Sequence, residues 1–513
     1  MRTTIPDVLL RIPNKISNLI AAVGGSLITL SFAPFNYWFV GIFSLACLAL
    51  LIHQQPLKTI LWRSWFFGAG MYASGVSWVY VSISGFGGAP APLAILLVAL
   101  FVNVLAFAFI IPFYIYGKFF SHSAMNLLVA FPITWLLSEW IRTWLLTGFP
   151  WLFIGYAHTH TWISGWAPIV GVMGLSFICA LSAGFLAQCC WAIKKFALLI
   201  GGTVTFLFWM GGLALQQYQW THLSPNPISL AMVQPNIAQE NKWEKDCILS
   251  TMSLLKEKSE PLWGNKIIIW PEAAVTALYS DALPFLNEMN SIASEHNSGL
   301  ITGIIFDDAE KNAYYNSIAT FGDAIGIYHK RRLVPFGEYV PREWLRNLIT
   351  FFNLPTSHIN LGPQDQHGLK SGDIYIAPSI CYEVAYPDLV AKSAVNSQLL
   401  MSISNLGWFG DSLGRHQFLQ MAQMRAVETQ RYFAYSTNNG PSAIIDSKGN
   451  VKTQSTAFTQ TTLVGEVYAA NGTTPFMRWG SWPLIIASLI LLLIVIVAHK
   501  KSAHSKMLTS SLL

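Results

Sequence analysis

The sequence predicts a multi-pass α-helical membrane domain of eight spans joined to a soluble domain of layered helices and strands. Two observations predict it. Hydrophobic residues make up 53% and charged residues 11% of the 513-residue chain, where an ordinary globular protein carries roughly 25% charged residues; mean hydropathy is +0.44. The charges are also unevenly spread: sparse from Asn18 to Gln217, frequent from Asn236 to Asn471, then nearly absent until His499. The division reads as a membrane domain over 1–219, a soluble domain over 220–475, and a last span with its tail over 476–513.

Each span needs about 20 mostly apolar residues. Windows of that kind lie near 16–34, 37–54, 64–83, 90–116, 124–146, 168–193, 196–216 and 480–498. The first lacks a small-residue cleavage site and six more follow it, so it reads as a span and not a leader. Lysine and arginine accumulate on the cytoplasmic side of a membrane. Arg2, Arg11 and Lys15 precede the first span, and Lys58 and Arg63 lie between the second and third. Lys118, Lys194, Lys195, Lys500, Lys501 and Lys506 fall on the same side by parity, while the alternate loops at 34–36 and 84–90 carry no charge. Seven spans therefore place the soluble domain outside, which in a bacterium is the periplasmic side of the inner membrane. Trp479 and Trp482 suit an interfacial belt before the last span. The net charge of +6 belongs to these loops and not to a basic stripe, which excludes nucleic acid as a partner.

Two membrane features admit two readings each. Glu139 and Arg142 are either a functional intramembrane pair or a helix-end pair reaching for the interface. The Gly-, Pro- and aromatic-rich stretch 149–168 is either a re-entrant segment facing substrate or a long external loop.

The soluble part alternates short apolar runs with helical ones, which argues for α/β layers around a buried sheet. Strands are expected at Ile228–Gln234, Lys266–Trp270, Gly299–Phe306, Asn316–Phe321, Asp373–Ile380, Gln398–Ser404, Tyr432–Thr437 and Ser442–Asp446. Helices are expected at Trp243–Lys258, Leu283–His296 and Arg415–Gln430.

Candidate chemistry sits at three strand ends: Glu272 after a proline that stops an apolar strand, Lys330 in Tyr-His-Lys, and Cys381 in Ser-Ile-Cys-Tyr-Glu. A thiol nucleophile, a carboxylate that accepts its proton and a cation for the oxyanion are the parts of acyl transfer. Any one of them alone has a plainer reading, since a lone buried Cys is usually structural and a lone Glu or Lys usually solvated. Cys47, Cys179, Cys189 and Cys190 fall in apolar segments as small hydrophobes. Cys247 reads as a packed residue; a disulfide from it to Cys381 would silence the nucleophile. No metal spacing, phosphate loop or dinucleotide fingerprint is present, so no cofactor and no metal are expected.

The segments WPEAA (270–274), YHKRRLVPFGEYVP (328–341), CYE (381–383), SNLGWFG (404–410) and TNNG (437–440) occur in this order. Together they resemble the carbon–nitrogen hydrolase (nitrilase) superfamily, and seven apolar spans before and one after resemble its membrane-embedded branch that N-acylates bacterial lipoproteins. The resemblance implies an αββα sandwich with a Glu-Lys-Cys triad at Glu272, Lys330 and Cys381. It also implies supporting roles for Glu338, Trp243, Tyr382 and Glu383, and it makes His329 and His416 structural. Leu406 departs from the polar residue usual at its position, which touches loop detail and no triad member.

The implied reaction takes a fatty acyl chain from a membrane phospholipid onto Cys381 as a thioester. It then passes the chain to the free α-amine of a diacylglyceryl-cysteine apolipoprotein, with ping-pong kinetics. Partners are thus a phospholipid donor, the lipoprotein acceptor and the bilayer. The rivals are a membrane-tethered amidase, which would need one span and not eight, and a transporter or lipid-binding protein with a degenerate nitrilase domain, which would not need the three reactive residues. Trp408 and Phe409, between Gly407 and Gly410, are expected as an arm that meets lipid. The stripe containing Trp344 and Phe352 reads either as core or as a mobile lid admitting acyl chains. Trp344→Ala or Phe352→Ala is expected to slow turnover in a transferase assay without lowering the melting temperature if the stripe is a lid; loss of folding would make it core.

Overall fold

The computed structural model describes residues 12–121, 123–191, 195–340 and 358–510. Two compact units make up the chain: residues up to Ser77 with Leu97–Tyr218 and Trp479 onward, and Trp78–Leu96 with Gln219–Arg478. Trp344 and Phe352 lie outside the described residues.

The first unit is helical. Among the described residues, Ala91–Phe119, Trp162–Cys190 and Lys195–Leu215 are long and apolar enough to cross a bilayer, whereas Trp38–Ile52, Met125–Ile141 and Trp482–Val497 are apolar but shorter. Helix length thus marks three spans where hydropathy windows mark eight. The window at 64–83 overruns because hydropathy cannot see where a helix ends. The helix expected over 64–83 runs over Leu57–Gly75, and Ser82–Phe86 forms a separate π-helical turn.

The stretch after Gly148 is neither an exposed loop nor one helix. It packs inside the helical unit as two short 3₁₀ turns, Ile154–His158 and Trp162–Trp166, with Trp151, Phe153, Ile154 and Tyr156 buried. Glu139 and Arg142 hold it there. Glu139 Oε1 accepts from Trp135 Nε1 and from the Ile154 backbone N–H, both at 2.9 Å. Arg142 Nη1 donates to the Trp151 carbonyl at 2.6 Å, and its guanidinium lies 5.2 Å from the Phe153 ring centre. Both side chains are buried, so the pair does not reach for an interface. In a low-dielectric interior such paired polar groups specify one backbone path.

The second unit is built on two sheets, with strands numbered in chain order. The first contains β1 (Thr221–Gln234), β2 (Ile267–Ile269), β3 (Val275–Leu278), β4 (Gly299–Asp308), β5 (Ala313–Gly322), β7 (Ile327–His329) and β14 (Thr461–Gly472). Its order is β14-β1-β2-β4-β5-β7, with β3 alongside β4. The second contains β6 (Ala324–Ile325), β8 (Leu369–Ser371), β9 (Ile374–Ile380), β10 (Leu399–Ser404), β11 (Phe433–Thr437), β12 (Ala443–Ile445) and β13 (Val451–Gln454). Its order is β13-β12-β11-β10-β9-β8-β6.

Side chains alternate across each strand. Leu230, Met232, Ile267 and Ile269 therefore face Ile376, Ile380, Met401 and Ile403 of the other sheet in one core. Ala231, Val233, Ile268 and Trp270 point the opposite way and pack with Leu255, Leu286 and Met289 of the helices Lys245–Ser259 and Tyr279–Glu295. On the far side, Phe418 of the helix Leu413–Thr429 meets Tyr435 of β11 at 6.1 Å between ring centres. The layering is helix, sheet, sheet, helix. Strands buried on both faces carry continuous apolar runs, which is why β2, β9 and β10 were legible. The start of β1 at Thr221 and the whole of β14 were not, because the first half of β1 is largely exposed and polar and β14 mixes polar residues and glycine with its buried apolar ones.

One close approach ties this fold to the site. A Cβ at Gly303 of β4 would lie 2.5 Å from the Ala273 nitrogen, 2.6 Å from the Pro271 oxygen and 2.7 Å from the Glu272 Cα. These are backbone atoms of the turn after β2, so nothing flexible is there to give way. Gly303→Ala is expected to cost about 1–3 kcal/mol through overpacking, read as a lowered melting temperature of the detergent-solubilised chain; an unchanged melt would show that the turn yields freely.

Candidate active site

Glu272 stands where β2 stops. Trp270 still joins the ladder through its N–H to the Ile301 carbonyl at 2.8 Å, and its indole donates to Ser259 Oγ at 2.9 Å. Pro271 has no N–H to continue, and Ala273 takes a φ of +44°, so the chain turns sharply. The carboxylate is thereby aimed into a cluster of donors. Glu272 Oε1 accepts from Asn316 Nδ2 at 2.8 Å and Lys330 Nζ at 3.1 Å, and Oε2 accepts from the Asn405 backbone N–H at 2.8 Å.

Lys330 follows β7 directly. Its N–H donates to the Asn316 carbonyl and its carbonyl accepts from the Gly362 N–H, each at 2.8 Å. Its ammonium is buried between two carboxylates, with Glu338 Oε1 at 2.9 Å on the other side. Asn316 Nδ2 also reaches Glu338 Oε1 at 2.8 Å, and Glu338 Oε2 accepts from the Val334 N–H at 2.8 Å. Asn316 thus bridges the two acids.

Cys381 follows β9 with a φ of +48°, a left-handed conformation uncommon for a side chain with a Cβ and held only when its surroundings over-determine it. Glu383 supplies that restraint. Its oxygens accept from the N–H groups of Ile380 (2.8 Å) and Arg331 (2.6 Å) and from the Tyr328 hydroxyl (2.9 Å). Arg331 in turn donates to the Tyr328 hydroxyl at 3.1 Å and to Ser393 Oγ at 2.6 Å. Glu383 therefore locks the Cys381 turn to the Lys330 strand end.

The electrostatics follow from this packing. Burial and the Glu272 charge push the Cys381 thiol well up, with Lys330 pulling the other way. Burial raises Glu272, but Lys330 and the Asn316 amide outweigh it and hold the carboxyl below its usual range. Burial likewise lowers Lys330, yet Glu272 and Glu338 outweigh it and the ammonium lies above its usual range. By linkage, the Glu272 contribution to stability is present above the ordinary carboxylate value and lost as pH falls through the depressed one. The Lys330 contribution is present below the ordinary ammonium value and lost as pH rises through the raised one. Both are in force between about pH 4 and about pH 10.

The remaining expected residues are spread more widely. Tyr382 is buried, its ring 5.3 Å from that of Tyr386. Trp243 is half exposed. Phe409 is buried and edge-on to Trp78 at 4.6 Å, while Trp408 is partly exposed, 5.6 Å from Phe86, its carbonyl accepting from Ser82 Oγ at 2.7 Å. Cys247 and Cys381 are both free thiols. His329 bonds Ser317 Oγ at 2.7 Å and packs on Tyr315.

Sequence reasoning missed Asn316, the Asn405 N–H and Lys242. Asn316 shares the inter-sheet face of β5 with Ile318, and a polar residue in that alternation was the available signal. Lys242, in Asn-Lys-Trp, carried no motif of its own; it is buried, and burial brings its ammonium down to about 8 against the pull of Glu272 and Cys247.

Residues 24–185 match the family model of the apolipoprotein N-acyltransferase N-terminal domain, and residues 229–473 match that of carbon–nitrogen hydrolases. The apolipoprotein N-acyltransferase of Pseudomonas aeruginosa is 41% identical over 488 residues, covering 94% of this chain and 96% of the relative. That of Azotobacter vinelandii is 40% identical over 491 residues, covering 94% and 95%. Among solved structures, a carbon–nitrogen hydrolase superfamily protein of Xanthomonas campestris matches 47% of this chain and 91% of its own at 14% identity, with a TM-score of 0.36.

The raised thiol has a direct readout. Alkylation of Cys381 by iodoacetamide, followed by peptide mapping, is expected to be slow at neutral pH and still rising with pH beyond the ordinary thiol value of about 8.5. A plateau at or below that value would show a thiolate already present in the resting site.

Proposed function

The chain belongs to the apolipoprotein N-acyltransferase family, and on that premise we propose that it acylates the N-terminal amine of diacylglyceryl-cysteine lipoproteins through a thioester on Cys381. The observation that carries the reading is the buried Glu272–Lys330–Glu338 cluster whose charges act on the Cys381 thiol.

In the first half, Glu272 takes the proton from Cys381 and the sulfur attacks the ester carbonyl of a phospholipid. The carbonyl oxygen becomes an oxyanion, which the Lys330 ammonium and the backbone N–H near Tyr382 stabilise. Collapse re-forms the carbonyl and breaks the bond from its carbon to the alkoxy oxygen. The leaving alkoxide receives the proton from Glu272 and departs as a lysophospholipid, leaving a thioester. In the second half, the lipoprotein α-amine attacks that thioester and passes a proton through Glu272 to the departing sulfur, which forms the amide and restores the thiol.

Glu338 keeps Lys330 between two acids, and Glu383 with Tyr382 holds the nucleophile turn. Trp243 is a supporting residue, and Trp408 and Phe409 belong to a segment that meets lipid in this reading, as does the stripe containing Trp344 and Phe352 if it is a lid. Both substrates are anchored in the bilayer, which accounts for a soluble catalytic domain joined to a membrane domain. The seven apolar windows read in the sequence before it and the one after, with the basic loops on one side, support a catalytic domain on the periplasmic side of the inner membrane.

Incubation of the full chain with phospholipid is expected to add one acyl mass to Cys381, an adduct absent in Cys381→Ala and discharged by a diacylglyceryl-cysteine peptide. Intact-mass analysis reads each state. Release of free fatty acid without discharge onto the peptide would make the chain a hydrolase, and no adduct in active membranes would sink the mechanism.

A further inference from the structure

Lys242 is a buried charge beside the site that the transfer chemistry leaves unused. Only 2% of it is exposed, and its Nζ donates to the Glu272 backbone carbonyl at 3.0 Å. Among the described residues no carboxylate lies within ion-pair distance of it. A buried ammonium without an ionic partner is costly, so the contact it makes is the one its position favours.

That contact falls where Glu272 needs it. Past Pro271 the turn leaves the β2 ladder, and the Ala273 φ of +44° offers no regular pairing to hold the Glu272 carbonyl. Lys242 belongs to the arm 235–243, which is laced to the ends of β10 and β11. Asn236 N donates to the Asn438 carbonyl at 2.9 Å, Ile237 N to Asn438 Oδ1 at 3.1 Å, and Asn405 Nδ2 to Gln239 Oε1 at 2.6 Å. Asn405 is the residue whose own N–H holds Glu272 Oε2. The arm thus reaches Glu272 twice: through Lys242 to its main chain, and through Gln239 and Asn405 to its carboxylate.

We propose that Lys242 is a positioning residue for the transfer reaction: by gripping the Glu272 carbonyl it makes the seating of the 235–243 arm set the aim of the Glu272 carboxylate at Cys381. This rests on the Glu272–Cys381 chemistry proposed above. The substitution Lys242→Met keeps length and bulk but removes the donor, whereas Lys242→Arg keeps both charge and donor.

The test uses the full chain in detergent with phospholipid, following the Cys381 adduct in single turnovers and Cys381 alkylation against pH. Lys242→Met is expected to slow adduct formation by about 100-fold at unchanged KM for phospholipid, the scale of a misplaced catalytic group. Since the Glu272 charge raises the thiol, a Glu272 that has lost its aim is expected to let Cys381 alkylate at lower pH in Lys242→Met. Lys242→Arg is expected to recover most of the rate and the wild-type alkylation profile. A Lys242→Met chain that acylates within about twofold of wild type overturns the proposal. So does one that is slow with an unmoved alkylation profile and a lowered melting temperature, which is packing alone. A wild type that forms no adduct sinks the transfer reading and this one with it; a wild type and a Lys242→Met that acylate alike sink this one alone.

Discussion

The Lys330 ammonium sits out of water between Glu272 at 3.1 Å and Glu338 at 2.9 Å, and the reaction centre is arranged around that one ion triple. Burying three charges together is unfavourable unless nearly every donor and acceptor is matched. The structure meets that demand with neutral groups: the Asn316 amide across both acids, the Asn405 N–H on Glu272 and the Val334 N–H on Glu338. Removing one member of such a set leaves an uncompensated charge and costs about 3–5 kcal/mol. A well-packed apolar trio would hold a fold at least as firmly, so stability alone does not explain a cation here. The proposed reaction gives it a role, as the partner of a developing oxyanion.

The double-sheet fold makes the arrangement possible by bringing unlike strand ends to one place. Glu272 follows β2 and Lys330 follows β7 in one sheet, while Cys381 follows β9 and Asn405 follows β10 in the other. In the parallel run β9-β10-β11, Ile380 pairs with Ile403 and Ser404 with Thr437, so the loops after these strands leave the sheet side by side. The inter-sheet core of Ile269, Ile301, Ile380 and Ile403 lies beneath them. Rigidity in the core is thereby passed to the loops that carry the chemistry.

Much of this was legible in the sequence because apolar strands end at punctuated positions. Pro271 marks the mouth that bears Glu272, and the Ser-Ile-Cys-Tyr-Glu run places Cys381 at the end of an apolar strand. The donors around the acids were not legible, because they come from far along the chain. Asn316 lies 44 residues from Glu272, and Asn405 lies 133 residues away and contributes only a main-chain N–H that any residue but proline would offer. Lys242 was passed over for a related reason, since a lysine in a polar segment carries no mark of burial. In the helical unit, Glu139 and Arg142 read equally as a functional intramembrane pair or as a helix end near an interface. Their partners, the Ile154 N–H and the Trp151 carbonyl, lie in a segment whose composition fits a loop as well as a packed interior.

The raised Cys381 thiol looks at first like a defect in the proposed nucleophile, yet it follows from burial first and from the Glu272 charge second, with Lys330 opposing both. With Lys330 charged and both acids ionised, the cluster carries one net negative charge, which disfavours a thiolate beside it. Moving the proton from Cys381 to Glu272 leaves that total unchanged: one negative charge leaves the carboxylate and one appears on sulfur, with Lys330 beside Glu272 throughout. The cost of the step is therefore the difference between two sites inside one buried cluster, and not the cost of creating an ion in an apolar interior. An ester carbonyl arriving over the sulfur tips that difference, because its oxyanion carries the charge onward towards the ammonium. Until then the sulfur stays protonated, and thiol oxidation proceeds through the thiolate. A nucleophile that ionises only against its substrate is one that resists oxidation.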